Sequence, residues 1–333
     1  MEIRQLDVHD DAQFHDFYVT RREALLYQRP DAPLWSEREA QVMFRREELT
    51  EDWRAFGAYD GDRMVGAAEF VLPLLDNTDK AYLEVQVGPA NRRRGIGSKL
   101  LTHVVELAEA NGRKVLLGDS NIPLDQRETH PYVRFAEKNG FSTASVEVER
   151  ELKVPVSDEQ LTAWEQEAAP YHVDYQIQTF VDDLPERLLE SFCYLSNQLA
   201  LDAPSGDIDF EPEGMTPEAF KVRLAKVKEQ GRTVFESLAV DGSGQAVAQS
   251  TLAVPSDDPL RVHQWGTLVH RDHRGHRLGL AVKAANLHAV QRAFPGRRKV
   301  CTSNSEDNDH MVAINVKMGF EPVELMVEFQ RKL

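Results

Sequence analysis

The sequence predicts an α+β protein built from two copies of one domain. Two observations carry this reading. A strand–turn–helix junction occurs twice in register, and a similar series of strand and helix patterns surrounds each copy.

The first junction lies at residues 81–112. AYLEVQV alternates Ala81, Leu83, Val85 and Val87 with Tyr82, Glu84 and Gln86, and a period of two marks a strand with two distinct faces. Gly88-Pro89 interrupts it and NRRRGIGSKLL follows, after which Leu100, Leu101, Val104, Val105 and Ala108 keep helical spacing as far as Asn111-Gly112. A glycine at that point suits a helix end. The first amide N–H groups of a helix lack partners and its dipole is positive there, so an anion at that end meets several donors at once. Gly95 and Gly97 let the backbone come close because no Cβ intervenes, and Arg92, Arg93 and Arg94 add charge. The same residues suit a plain solvated turn; the flanking strand and helix favour the anion site. The spacing is not the dinucleotide fingerprint, which has a third glycine, nor a P-loop, which ends in Gly-Lys-Ser/Thr.

The second junction reads VHQWGTLVHRDHRGHRLGLAVKAA over residues 262–285. Placing Val87 on Val269 also pairs Arg92 with Arg274, Ile96 with Leu278 and Gly97 with Gly279, while Gly95 falls opposite Arg277. Downstream, KVLL matches KVCT, and the helix ends EKNGF and VKMGF match through Gly140 and Gly319. Such self-similarity at a fixed spacing signals a repeated unit.

Reading outward, the first half runs from a helix-rich segment near 10–49 through strands at WRAFGAY, RMVGAAEFVL and AYLEVQV. A helix, a strand at KVLLGD, a helix ending near Asn139 and a strand near SVEVEREL follow. The second half runs through helices at LPERLLESFCYLSNQLA and PEAFKVRLAKVKEQ, then strands at TVFESLAV, QAVAQSTLAV and VHQWGTLV. It continues with a helix, a strand at RKVCTSN and a helix through Lys317. Between the halves, KVPVSDEQLTAWEQEAAP holds Pro155, Pro170 and many charges, as a connector with one short helix would. The expected layout is a first domain at 1–154, a linker at 155–172 and a second domain at 173–333.

Composition sets outer bounds. A net charge of −16, from 39 Lys+Arg against 55 Asp+Glu, argues against general affinity for nucleic acid or an anionic membrane. Any anion site is therefore local. Two cysteines, Cys193 and Cys301, are too few for a disulfide framework or a four-cysteine zinc site. MEIRQLDVHDD has no apolar core of a signal peptide and no run approaches the ~20 residues of a membrane span, so a cytoplasmic location is expected.

Strand, RxxGxG turn, helix, strand and a helix ending in Gly-Phe, all present twice, resemble the acetyl-CoA site of the GNAT superfamily of N-acetyltransferases, and the doubled layout resembles its tandem members. The resemblance implies that each domain is a mixed, mostly antiparallel sheet flanked by helices. It implies acetyl-CoA as co-substrate and transfer of the acetyl group to a primary amine of a small molecule by direct attack in a ternary complex; no metal is expected, because no His/Cys cluster has metal-ligand spacing. Turn amides that hold the pyrophosphate carry over to Arg92, Arg93, Arg94, Gly95, Ile96, Gly97 and Ser98, and in the second half to Arg274, Gly275, His276, Arg277, Leu278 and Gly279. The strand ends that hold the pantetheine arm carry over to Val85 and Val87, and to Thr267 and Val269. Asn304 and Asn308 match further cofactor contacts. A soluble monomer or homodimer is expected.

For the chemistry, Glu84 beside the turn is the candidate general base. Its counterpart, Gly266, cannot serve, which leaves His263 or a carboxylate of the DAPSGDIDFEPE loop (Asp202, Asp207, Asp209, Glu211, Glu213) in the second half. The tyrosine that often protonates the thiolate in this family is replaced by Ala136 and Asn315, with Tyr132 one helical turn earlier as a substitute. That gap, and Arg277 in place of a glycine, keep open a second reading: a non-catalytic acyl-CoA-binding or regulatory protein.

Overall fold

In the computed structural model, residues 1–47, 50–202, 206–211 and 214–333 are described, 199–202 by their backbone alone. The chain divides into two compact units. The first comprises Met1–Val146, Gly206–Glu211 and Met326–Leu333; the second comprises Glu147–Ser205 and Pro212–Leu325.

In the first unit β1 (Glu2–Gln5) precedes α1 (Asp11–Leu25) and α2 (Glu37–Arg45). Asp10 accepts from the amides of Ala12 and Gln13 to start α1, and Ser36 with Glu39 closes a capping box on α2. Then come β2 (Glu51–Asp60), β3 (Arg63–Pro73), β4 (Lys80–Gln86), α3 (Ile96–Ala110), β5 (Val115–Ile122), α4 (Pro131–Lys138) and β6 (Ser142–Lys153). The sheet order is β1-β2-β3-β4-β5, followed by β12 (Glu321–Lys332), whose residues from Met326 onward belong to this unit. Neighbours from β1 to β4 are antiparallel, whereas β4 and β5 are parallel. The parallel pairing covers only Lys80↔Val115 to Tyr82↔Leu117. Beyond it the two strands part. Gly118 stands at this point, and a Cβ there would lie 2.7 Å from the Leu83 carbonyl oxygen, so only glycine permits the approach.

The second unit repeats the plan with α5 (Asp158–Ala168), β7 (Gln176–Val181), α6 (Glu186–Asp202), α7 (Pro217–Glu229), β8 (Arg232–Val240), β9 (Ala246–Pro255), β10 (Arg261–Val269), α8 (Leu278–Ala293), β11 (Lys299–Ser305) and α9 (Asp309–Met318). Its sheet runs β7-β8-β9-β10-β11, with residues 147–153 of β6 antiparallel to β11. Parallel β10 and β11 pair from Arg261↔Lys299 to His263↔Cys301 and then separate, as β4 and β5 do. Each half is therefore a mixed, mostly antiparallel sheet flanked by helices. Two edge strands, β1 and β7, fell outside the expected series. Both are short, and neither sustains an apolar alternation long enough to read.

The first core packs Phe14, Phe17, Ala40 and Phe44 on Ala55 and Ala67, so α1 and α2 cover one face. The opposite face receives Ile96, Leu100 and Val104 of α3, all nearly inaccessible. In the second unit α8 is buried almost all round and packs against α5, the linker helix.

Candidate functional site

The first turn folds as its glycines suggest. After a 3₁₀ turn at Pro89–Asn91, Gly95 takes φ +79° and becomes the N-cap residue of α3, so the unpaired amides of the helix start face outward. The three arginines do different work. Arg92 donates through Nε to the Val87 carbonyl at 3.0 Å and stacks 4.4 Å from Tyr27. Arg94 pairs with Asp60 at 3.0 Å. Arg93, exposed at φ +63°, lines a cleft with Arg92, Gly95, Ile96, Gly97 and Ser98; Arg94 is not part of that lining.

This cleft has a volume of about 1010 Å³ and lies within the first unit. It opens where β4 and β5 part. Val85, Val87 and Tyr132 line it, as does Glu84. Alternation places Glu84 and Gln86 on the α1 side of β4, where Glu84 stands opposite Glu69 of β3. Gln86 donates Nε2 to Glu84 at 2.5 Å, and Arg21 of α1 pairs with Glu69 and lies 3.5 Å from Glu84. Burial raises the Glu69 pKa, with Arg21 opposing and the Glu84 and Asp119 charges adding to the rise.

Asp119 was not among the sequence candidates, yet it stands in the cleft with Glu84. It projects from β5 one residue past Gly118, keeps contact with the water of the cleft, and lines the same cleft as Glu84. Desolvation by the cleft walls, then the Glu84 and Glu328 carboxylates, push its pKa up to about 7 against the pull of Arg29. A carboxyl group near 7 can both accept and return a proton at neutral pH. Glu328, from the last strand, accepts a hydrogen bond from Ser145 Oγ at 2.8 Å. Tyr132 lies on α4, 4.4 Å ring to ring from His130 and 5.6 Å from the Arg92 guanidinium. Ala136 and Asn315, the usual tyrosine positions, are buried.

The second turn has the same backbone but different surroundings. Arg274 Nε reaches the Val269 carbonyl at 3.5 Å, as Arg92 reaches Val87, and Gly275 and Arg277 take φ +88° and +52°. Arg277, the N-cap residue of α8, binds Glu167 at 2.6 Å and stacks 4.0 Å from Tyr171. Lys317 reaches Glu167 at 2.5 Å, and His276 Nδ1 contacts the Tyr171 carbonyl at 3.0 Å. Glu167 of the linker segment thus pairs with Arg277 at this helix start and with Lys317 of α9. Leu278 and Gly279 are buried; Thr267 bonds Ser250, and Asn308 caps α9 through the Met311 amide. Asn304 accepts from Asn315 at 2.6 Å. Under the parted strands, the Lys283 ammonium fills the space and donates to Gln264 at 3.1 Å, beside a cavity of only about 10 Å³.

His263 is a poor candidate base. Burial, then Arg232 and Arg261, push its pKa down to about 3, which leaves a neutral ring with little appetite for a proton at pH 7. In the acidic loop, Glu211 belongs to the first unit and accepts from the Asn77 amide at 2.9 Å, and Asp207 and Asp209 lie in that unit too. The Asp202 side chain and Glu213 fall outside the described residues.

The sequence profile of the acetyltransferase (GNAT) family matches residues 14–141, which hold the cleft and the first turn. Residues 14–141 are thus similar to a GNAT acetyltransferase domain. No curated protein matches the chain. Among solved structures, a tandem GNAT protein from the clavulanic acid biosynthesis pathway is 24% identical and has a TM-score of 0.79, over 99% of this chain and 98% of that one. A GCN5-related N-acetyltransferase from Sphaerobacter thermophilus is 15% identical with a TM-score of 0.64, over 99% and 95%. Saccharomyces cerevisiae N-myristoyltransferase with bound myristoyl-CoA is 10% identical with a TM-score of 0.59, over 99% and 80%. At these identities the likeness is one of fold, and it extends the tandem GNAT architecture across both halves. No helix among the described residues is long and apolar enough to cross a membrane.

Proposed function

We propose that this protein is an acetyl-CoA-dependent GNAT N-acetyltransferase acting on a primary amine of a small molecule, with its working site in the first half. The observation that carries the reading is the cleft itself: the first RxxGxG turn opens onto it, and Glu84, Asp119 and Tyr132 line it together. The cleft fits the co-substrate. At Gly95 an added Cβ would meet no atom within 4 Å, which leaves the helix start open to a pyrophosphate.

Acetyl-CoA supplies an acetyl thioester. Amide N–H groups of 95–98 and the charge of Arg93 hold its phosphates, and Val85 and Val87 line the path of its arm. Asp119, with Glu84 beside it, takes the proton of the incoming ammonium. The nitrogen–carbon bond then forms, the carbon–sulfur bond breaks, and the Tyr132 hydroxyl protonates the departing sulfur and regains a proton from the acylated nitrogen. Asp119 returns its proton to water. The second half is a structural partner, a reading supported by the Glu167 carboxylate that pairs with Arg277 beside its turn and with Lys317.

Incubation with labelled acetyl-CoA and a panel of aminoglycosides, polyamines and aminoacyl compounds tests this. Label transferred to at least one amine, and lost in Asp119→Asn, is expected. Tight acetyl-CoA binding without transfer across the panel would favour the non-catalytic acyl-CoA-binding role instead.

A further inference from the structure

Strand register sorts the α1 side of the cleft into two rows. Trp53 of β2 stands opposite Val71 of β3, Val71 opposite Tyr82 of β4, and Tyr82 opposite Leu117 of β5. In the next row Glu69 stands opposite Glu84, and Asp119 follows Leu117 by two residues on the same face of β5. An apolar row therefore crosses four strands beside the carboxylates, about 7 Å from them along the strands. Trp53, Val71 and Tyr82 line the same cleft as Glu84 and Asp119.

Aromatic side chains on this side of the sheet fall into two groups. Phe14, Phe17 and Phe44 close the core beneath α1 and α2 and are at most 5% exposed. Tyr18, Trp35, Trp53 and Tyr82 are only half-buried, and all four line the cleft. The Tyr18 hydroxyl donates to the Trp35 carbonyl at 3.1 Å, which ties the loop between α1 and α2 to the helix, and the Trp35 and Trp53 rings lie 6.1 Å apart. Trp53 donates its indole N–H to Glu51 at 2.9 Å, which leaves only its apolar faces for a ligand. Apolar surface held half-open in a walled cleft is unfavourable against water, and a ligand's apolar body seated there removes it. A flat ring does so best, because it also stacks.

We propose that the acceptor is an amine carrying an aromatic ring about two or three carbons from its nitrogen, the chain length that the spacing between the rows sets. Its nitrogen meets Glu84 and Asp119, and its ring lies in the apolar row against Trp35, Trp53 and Tyr82. The role of the nitrogen rests on the acetyl-transfer reading; the seat of the ring is tested by binding alone. Calorimetry on the full chain, with coenzyme A present and absent, compares 2-phenylethylamine with n-butylamine and ethanolamine. The expected result is a roughly tenfold or greater preference for the ring over the butyl chain, with ethanolamine weakest. That preference should hold as salt rises from about 50 to about 500 mM, because burial of a ring is not screened. Trp35→Ala should cut it to about threefold while acetyl-CoA affinity, which reports the fold, stays at the wild-type value. Should that variant fail to fold, the milder Trp35→Phe must remove most of the change in tryptophan emission that 2-phenylethylamine produces in wild type. Equal affinity for phenylethylamine and butylamine, a preference that fades with salt, no amine bound at all, or a preference and an emission change untouched by substitution of Trp35 would overturn the assignment. Phenylethylamine bound but never acetylated would instead sink the acetyl-transfer reading, and equal acetylation of phenylethylamine and butylamine would sink only the ring site.

Discussion

Gly95 and Arg277 hold the same left-handed backbone conformation at the same point of the two halves, each as the N-cap residue of the helix that follows the basic turn. Glycine adopts it without strain; arginine does not. The second turn keeps its shape because Glu167 and Tyr171 grip the Arg277 side chain. Gly95→Ala should therefore cost about 1 kcal/mol of stability, since no atom lies within 4 Å of the added Cβ and strain alone acts. Arg277→Gly should stay within about 0.5 kcal/mol of wild type, because relief of strain offsets an exposed ion pair. Urea denaturation measures both.

The pH dependence follows from Asp119. As general base it works ionised, so the transfer rate should rise as pH increases through about 7 and level off above it. Glu84, Glu328 and Arg29 act on this group, with Glu69 and Arg21 beside them, and desolvation sets the direction. Asp119→Asn should abolish that limb of the profile and lower kcat by about 10²–10⁴, the usual worth of a positioned base. A steady-state profile from pH 5 to 9 with unchanged shape in the variant would remove Asp119 from this role.

The same shift has a consequence for stability. A carboxyl group whose folded pKa lies above its unfolded value holds a proton more tightly when folded, so its contribution falls as pH climbs from about 4 to about 7. Asp119→Asn removes the repelling charge. Its melting temperature should match wild type near pH 4.5 and exceed it near pH 8.

Tyr132→Phe isolates the proposed acid. The ring that meets His130 edge to face and lies beneath Arg92 is kept and only the hydroxyl is lost. A roughly tenfold or greater fall in kcat with little change in KM for acetyl-CoA is expected, and steady-state kinetics that leave kcat untouched would assign the thiolate's proton to water.

Much of this architecture was legible in the sequence because it is local. Alternation in AYLEVQV, the glycines of RxxGxG and the helical spacing from Leu100 fix a strand, a turn and a helix within a short stretch, and the repeat around Val269 doubles the signal. Glu84 was readable as a candidate because it belongs to that stretch. Asp119, Glu328 and Arg21 were not, because they arrive from three other elements and meet Glu84 only once β5, the end of β12 and α1 are in place. The final strand in particular gives residues 326–333 to the first unit, a pairing no local pattern records. Glu167 was hidden for a related reason: in the linker it reads as one more solvated carboxylate, and only the packing of α5 on α8 brings it to Arg277.

The central claim, that the first turn holds acetyl-CoA and the second does not, is tested most directly by titrating acetyl-CoA into wild type, Gly97→Asp and Gly279→Asp in a calorimeter. An aspartate in the first turn of a helix suits the helix dipole, and at Gly97 its Cβ meets only ordinary contacts, so loss of binding there reports repulsion of the phosphates rather than misfolding. The account predicts one acetyl-CoA per wild-type chain, weaker as salt rises, abolished by Gly97→Asp and retained in Gly279→Asp. Binding that survives Gly97→Asp and disappears with Gly279→Asp, or no heat at all at millimolar acetyl-CoA, would contradict it.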